Sequence, residues 1–197
     1  MKNVLLTLSI MTILGSCGES KKTVETTDDT TTVTPEATNK IDPSQLIRYN
    51  SVKEMLENAH DFTVEEGTLK FINEDKNKLH IQVSKPIVEG DTDKVINEIV
   101  KRDLVYVAFQ VFAQTSTDKI TITSIPISLE NRTKYYPDYK KTLTVTRAQT
   151  DQIMLNEFGN LDYSKLFVDS GGLQIPSDNF DRLKFKDLEY VFSALAK

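Results

Sequence analysis

From Thr92 to Thr115 the chain carries its longest periodic run. Val95, Ile96, Ile99, Val100, Leu104, Val107, Ala108, Val111 and Phe112 recur at steps of three and four. Lys94, Glu98, Lys101 and Arg102 fall on the other side. That spacing predicts an amphipathic helix of about 20 residues, capped by Thr92 or Asp91. Its second half, Leu104 to Ala113, is apolar nearly all round and is expected to be its most buried part. A helix of this kind cannot stand alone, so the rest of the domain must supply a surface to cover it.

Sheet segments lie on both sides of it. Leu69 and Phe71, then Leu79, Ile81 and Val83, alternate with polar neighbours around the polar turn 73–78. This predicts a β-hairpin, with Pro86 ending its second strand. After the helix, 120–127 reads as a strand whose alternation slips near Ser124, with Pro126 marking a bulge or an edge. Residues 142–146 read as a two-faced strand, with Leu143 and Val145 inward and three Thr outward. Short helices are expected after Ser51, with Glu54 completing a capping box, over Arg147–Glu157, and over Phe180–Leu195. The stretch between the last two reads as irregular. The order α-β-β-α-β-β-α-α predicts an α+β domain: a mainly antiparallel sheet of about four strands with helices packed on one face.

The N-terminus is of another kind. Lys2 supplies a short positive region and Val4 to Leu14 an apolar run of 11 residues. Spanning about 30 Å of hydrocarbon takes roughly 20 residues, so the run is short for a membrane helix and suits a secretory signal. Leu14-Gly15-Ser16-Cys17 follows. This resembles the lipobox of bacterial lipoproteins, and the Thr-rich tail after it resembles Bacteroidota members of that class. The resemblance implies a signal peptide over 1–16, diacylation of the Cys17 thiol, and cleavage before it. It also implies attachment at the outer membrane, facing the periplasm or the cell surface. Two acyl chains are enough for a stable anchor. Residues 17–42 then form the lipidated Cys and a Thr-, Glu- and Asp-rich tether, too poor in apolar residues to offset its ordering entropy. Its reach is on the order of 25–30 Å. Asp29-Thr30-Thr31 resembles a Bacteroidota O-glycosylation acceptor, which would place a glycan on Thr30. Residues 43–197 form the single α+β globular domain.

Composition excludes several functions. Cys17 is the only Cys, so no intrachain disulfide, multi-Cys zinc site or iron–sulfur site can form. Two His, His60 and His80, are too few for a three-His metal site. A net charge of −5 gives no electrostatic case for nucleic acid. No metal or other cofactor is expected.

No Ser-centred elbow accompanies the two His. His60 reads as a turn residue at a helix end, and His80 as outward on its strand. Ser170-Gly171-Gly172 reads as a turn. The paired carboxylates Glu65/Glu66, Asp91/Asp93 and Asp178/Asp181 read as solvated loops unless folding sets a pair across a pocket. The most suggestive segment is 131–141, where Tyr135, Tyr136 and Tyr139 interleave with Arg132, Lys134, Lys140 and Lys141. Aromatic faces can cover a sugar or a partner, and cations can meet anionic groups. The other reading of this loop packs its rings back on the sheet edge. The functional expectation is a lipid-anchored, non-catalytic envelope module that binds or assembles with an envelope protein or glycan. The alternative is an envelope hydrolase using two carboxylates, which would need inward-facing acids with raised pKa values in a pocket.

Overall fold

The computed structural model describes residues 40–197. The signal region, Cys17 and Thr30 lie outside them. Ile41 is buried in the core and Lys40 bridges to Val168, so both pack with the domain expected over 43–197.

The elements are α1 (Val52–Asn58), β1 (Leu69–Asn73), β2 (His80–Val83), β3 (Pro86–Ile87), α2 (Asp93–Gln114), β4 (Lys119–Ser124), β5 (Ile127–Ser128), β6 (Lys141–Thr146), α3 (Arg147–Phe158), β7 (Phe167–Ser170), β8 (Leu173–Pro176), α4 (Asp178–Asp181) and α5 (Leu188–Leu195). Four short turns of other geometry aside, this is the expected α+β arrangement. The main sheet has the order β1-β2-β4-β6, with β1–β2 and β4–β6 antiparallel. The central pair β2–β4 is parallel, so the sheet is mixed. The reason is α2: a helix between two neighbouring strands carries the chain back to the end where it started, as a parallel pair requires.

Ser51 caps α1 as its position predicts, accepting from the Glu54 N–H at 3.1 Å. The Glu54 carboxylate returns to the N–H of Asn50, one residue before the cap. Thr92 caps α2, and Gly159 ends α3 at φ 70°. A left-handed residue there costs glycine nothing.

Three local expectations change. The strand predicted over 120–127 stops at Ser124, and Ile127–Ser128 pairs separately and in parallel with β3, because Pro126 has no N–H to continue the ladder. The irregular stretch before the last helix holds the β7–β8 hairpin, turned by Gly171 and Gly172 at positive φ. The last helix is interrupted: a π-helical turn, Arg182–Lys186, joins α4 to α5, closed by the Asp187 N–H on the Arg182 carbonyl at 2.9 Å. Wide turns of this type are rare and cluster at functional positions.

α2 is covered on several sides. Ile81, Val83, Ile120, Ile122 and Val145 line the inner face of the sheet, and every residue of α2 from Asp103 to Gln114 is buried. Phe180 sits in an aromatic cluster with Tyr106, Phe109 and Phe167 at centroid distances of 5.3, 6.2 and 5.6 Å. Leu143, expected inward, is only half-buried on the edge strand. The outer sheet face carries Thr121, Thr123, Thr142 and Thr144, whose hydroxyls pair across the strands at 2.9 Å. His80 also lies there, its Nε2 2.9 Å from the Thr123 hydroxyl. No described helix is long and apolar enough to cross a membrane.

Arg147 closes the far end of α2. Its guanidinium donates to the carbonyls of Phe112, Thr115 and Thr117 at 2.6, 2.9 and 2.8 Å. Helix C-termini leave such carbonyls without internal partners. Arg147→Met should lower stability by about 3 kcal/mol in urea denaturation, with Arg147→Lys restoring only part. A change under about 0.5 kcal/mol would show that the clamp is idle.

Candidate binding cleft

The three tyrosines of the 131–141 loop meet different neighbours. Lys70 lies over the Tyr135 ring at 4.5 Å and Lys134 over Tyr136 at 5.2 Å. Tyr139 packs on the core and donates to Asp93, the first residue of α2, at 2.6 Å. Arg132 and Lys140 are exposed. None of these loop residues lines the three cavities described for residues 40–197. The tyrosines are half-buried and each meets a separate neighbour, with Lys134 the one cation of the loop that lies over a ring of the loop.

A different set converges where α2 meets the π turn. Asp61, Lys85, Pro86, Ile99, Arg102, Asp103, Tyr106, Pro176, Lys184 and Phe185 line a cleft of about 390 Å³. Small-molecule sites run from about 300 to 1,000 Å³. α2 supplies the floor: Asp103 and Tyr106 stand one turn apart, and Gln110 follows one turn later. Behind the exposed His60, whose φ is 56°, the chain turns so that Phe62 fills the core and Asp61 reaches the cleft. Lys85 follows β2. The π turn brings Lys184 and Phe185 over the opposite wall.

The polar groups form a connected chain. Gln110 Nε2 donates to the Tyr106 hydroxyl at 3.0 Å, and that hydroxyl donates to Asp61 Oδ2. Lys85 Nζ completes the Asp61 carboxylate from the other side at 3.2 Å. Burial first, then the neighbouring Asp61 charge, push the Tyr106 phenol well above its ordinary range. Lys184 Nζ lies 4.9 Å from the Tyr106 ring centre and 5.0 Å from that of Phe180, and it pairs with Asp181 at 2.9 Å. Gln110 Oε1 is buried without a hydrogen-bond partner.

Asp103 is the unusual member. It is 5% exposed, and Ser124 donates to its Oδ2 at 3.1 Å. No ion pair reaches it among the described residues. Burial pushes its carboxyl up from 3.8 to about 7, against the pull of Lys85, the Ser124 hydrogen bond and Arg102. The group can therefore donate a proton in a hydrogen bond near neutral pH, which an ordinary carboxylate cannot.

Neither Asp103 nor Asp61 stood out as a site residue in the sequence, although a signal for one was there. Asp103, Tyr106, Gln110 and Gln114 recur at steps of three and four within the otherwise apolar half of α2, a polar line along one helix face. The adjacent carboxylates Glu65/Glu66 are exposed, and neither they nor Asp91/Asp93 nor Asp178/Asp181 line the cleft. Among the described residues no three His, Cys, Asp or Glu side chains gather as a metal would require.

A larger hollow of about 580 Å³ lies between Ile41, Phe158, Phe167 and Val168. Several of its polar side chains are committed to backbone: the Asp162 carboxylate caps Ser164, while Ser177 and Asn179 donate to the Lys165 carbonyl. The smaller cleft is therefore the stronger candidate. Comparison with protein-family models, with curated proteins and with solved structures finds no match.

Asp103 sets a pH dependence with a definite sign. Its folded pKa is raised above the unfolded value, so its contribution is fully present below about pH 4 and lost as pH rises towards 7. Asp103→Asn, neutral throughout, should flatten the fall in unfolding free energy across that window. Carboxyl NMR of the native protein should show one Asp titrating near 7; an ordinary midpoint for every Asp would overturn the assignment.

Proposed function

We propose that this chain is a lipid-anchored lipoprotein of the bacterial cell envelope, held through Cys17, and that its folded domain is a non-catalytic module binding an envelope glycan. The lipobox-like Leu14-Gly15-Ser16-Cys17 supports the anchor. The single observation that carries the binding role is the cleft, where hydrogen-bonding carboxyls, cations and an exposed Phe185 meet around a small concave volume. Sugars need that combination: polar groups for hydroxyls and an aromatic face for the C–H side of the ring.

A second reading, a carboxylate-dependent hydrolase, is favoured by one observation, the Asp103 carboxyl that holds its proton up to about 7 and so suits a general acid. It ranks lower because the other acid, Asp61, is engaged by both Tyr106 and Lys85. A carboxylate so occupied is poorly placed to attack a sugar or to activate water.

The anchor is tested in cells. Cys17→Ser should move the protein from the membrane fraction to the soluble fraction, and retention in membranes would remove the lipid-anchor reading. The module is tested with the full mature chain and soluble envelope polysaccharide fragments. Binding should fall with Phe185→Ala at an unchanged melting temperature and persist in Tyr135→Ala. New reducing ends in the wild-type mixture, lost in Asp103→Asn, would favour the hydrolase.

A further inference from the structure

The charges around the cleft are unevenly committed. Three cations, Lys85, Arg102 and Lys184, stand against two acids, Asp61 and Asp103, in a chain whose net charge is −5. Lys85 is paired with Asp61, and Lys184 with Asp181. Arg102 has no acidic partner within salt-bridge distance among the described residues. Its one hydrogen bond runs from Nε to the Glu98 carbonyl at 3.3 Å, one turn back along α2. That leaves both terminal nitrogens uncommitted at the mouth. Beneath the guanidinium lies the Phe185 ring, 5.1 Å from its centre and 55% exposed, presented by the π turn. Contact with the ring restricts where the guanidinium and its N–H donors can lie.

We infer that the cleft takes a carboxylate-bearing sugar, of the uronic-acid class, with its carboxylate on the Arg102 fork and its ring against Phe185. The inference rests on the glycan-binding reading and names the ligand's class. A carboxylate matches the planar fork in two parallel hydrogen bonds. The sugar hydroxyls then face Asp103 and the Asp61–Lys85 pair deeper in the cleft. At pH 6, with the Asp103 carboxyl holding its proton, that group adds a donor and no repulsion toward an anion. Arg102 on α2 and Phe185 on the π turn are 83 positions apart in the chain, and only the wide turn's placement over α2 makes them one platform.

Methyl β-glucuronide and methyl β-glucoside differ at one group, carboxylate against hydroxymethyl, and serve as probes. The full mature chain is titrated with each at pH 6 and followed by NMR shifts of Arg102, Asp103 and Phe185. The glucuronide should bind at least about tenfold more tightly, and Arg102→Ala should remove that preference at an unchanged melting temperature, with Arg102→Lys keeping part of it. Equal binding of both sugars, indifferent to Arg102, would overturn the acidic-sugar inference and leave the glycan reading standing. Shifts with neither sugar nor any polysaccharide fragment would overturn both. Inorganic phosphate matching the glucuronide at the same residues would show a general anion site and overturn the sugar class.

Discussion

The structure depends on the burial of α2. A helix covered on one side can keep its charged residues in water, but from Asp103 onward α2 has no free side: the sheet covers one face, and α5, α3 and the π turn cover others. Apolar burial contributes about 25 cal/mol per Å², so a helix covered over this many apolar residues contributes strongly to the domain's cohesion. Its connection between β2 and β4 also makes the centre of the sheet parallel, and its carbonyl end is held by Arg147. Each neighbouring element takes its place from what it covers on α2.

Burial on that scale makes any polar group on the helix expensive unless it is paired. The molecule pairs most of them in sequence: Gln110 to Tyr106, Tyr106 to Asp61, Asp61 to Lys85, with Ser124 beside Asp103. Two groups stay under-satisfied, the Asp103 carboxyl and Gln110 Oε1. A domain selected only for stability would have apolar residues at 103 and 110. Their presence at and behind a cleft fits the general pattern in which local cost sits at functional positions. The π turn belongs to the same pattern, because it lets Leu183 remain in the core while Lys184 and Phe185 line the cleft wall.

In the Tyr-rich loop, composition admits two readings. Rings alternating with cations suit ligand recognition, and they suit intramolecular cation–π packing equally well. The difference is whether the side chains share a concavity. Tyr135, Tyr136 and Tyr139 meet Lys70, Lys134 and Asp93, three partners in three places, and Lys70 and Asp93 lie on β1 and α2.

Sequence alone determined the elements with strong local signals: the length and face of α2, the β1–β2 hairpin, the Thr face of β6 and the cap at Ser51. These follow from side-chain periodicity and backbone preference within a few residues. The parallel β2–β4 pairing, the β7–β8 hairpin and the break in the last helix came from the tertiary structure. So did the cleft, whose residues come from five separated stretches between Asp61 and Phe185. The physical reason is range. Periodicity reports which face of an element is apolar, while pairing partners, desolvation of a single carboxyl and convergence of side chains depend on what the fold sets opposite it.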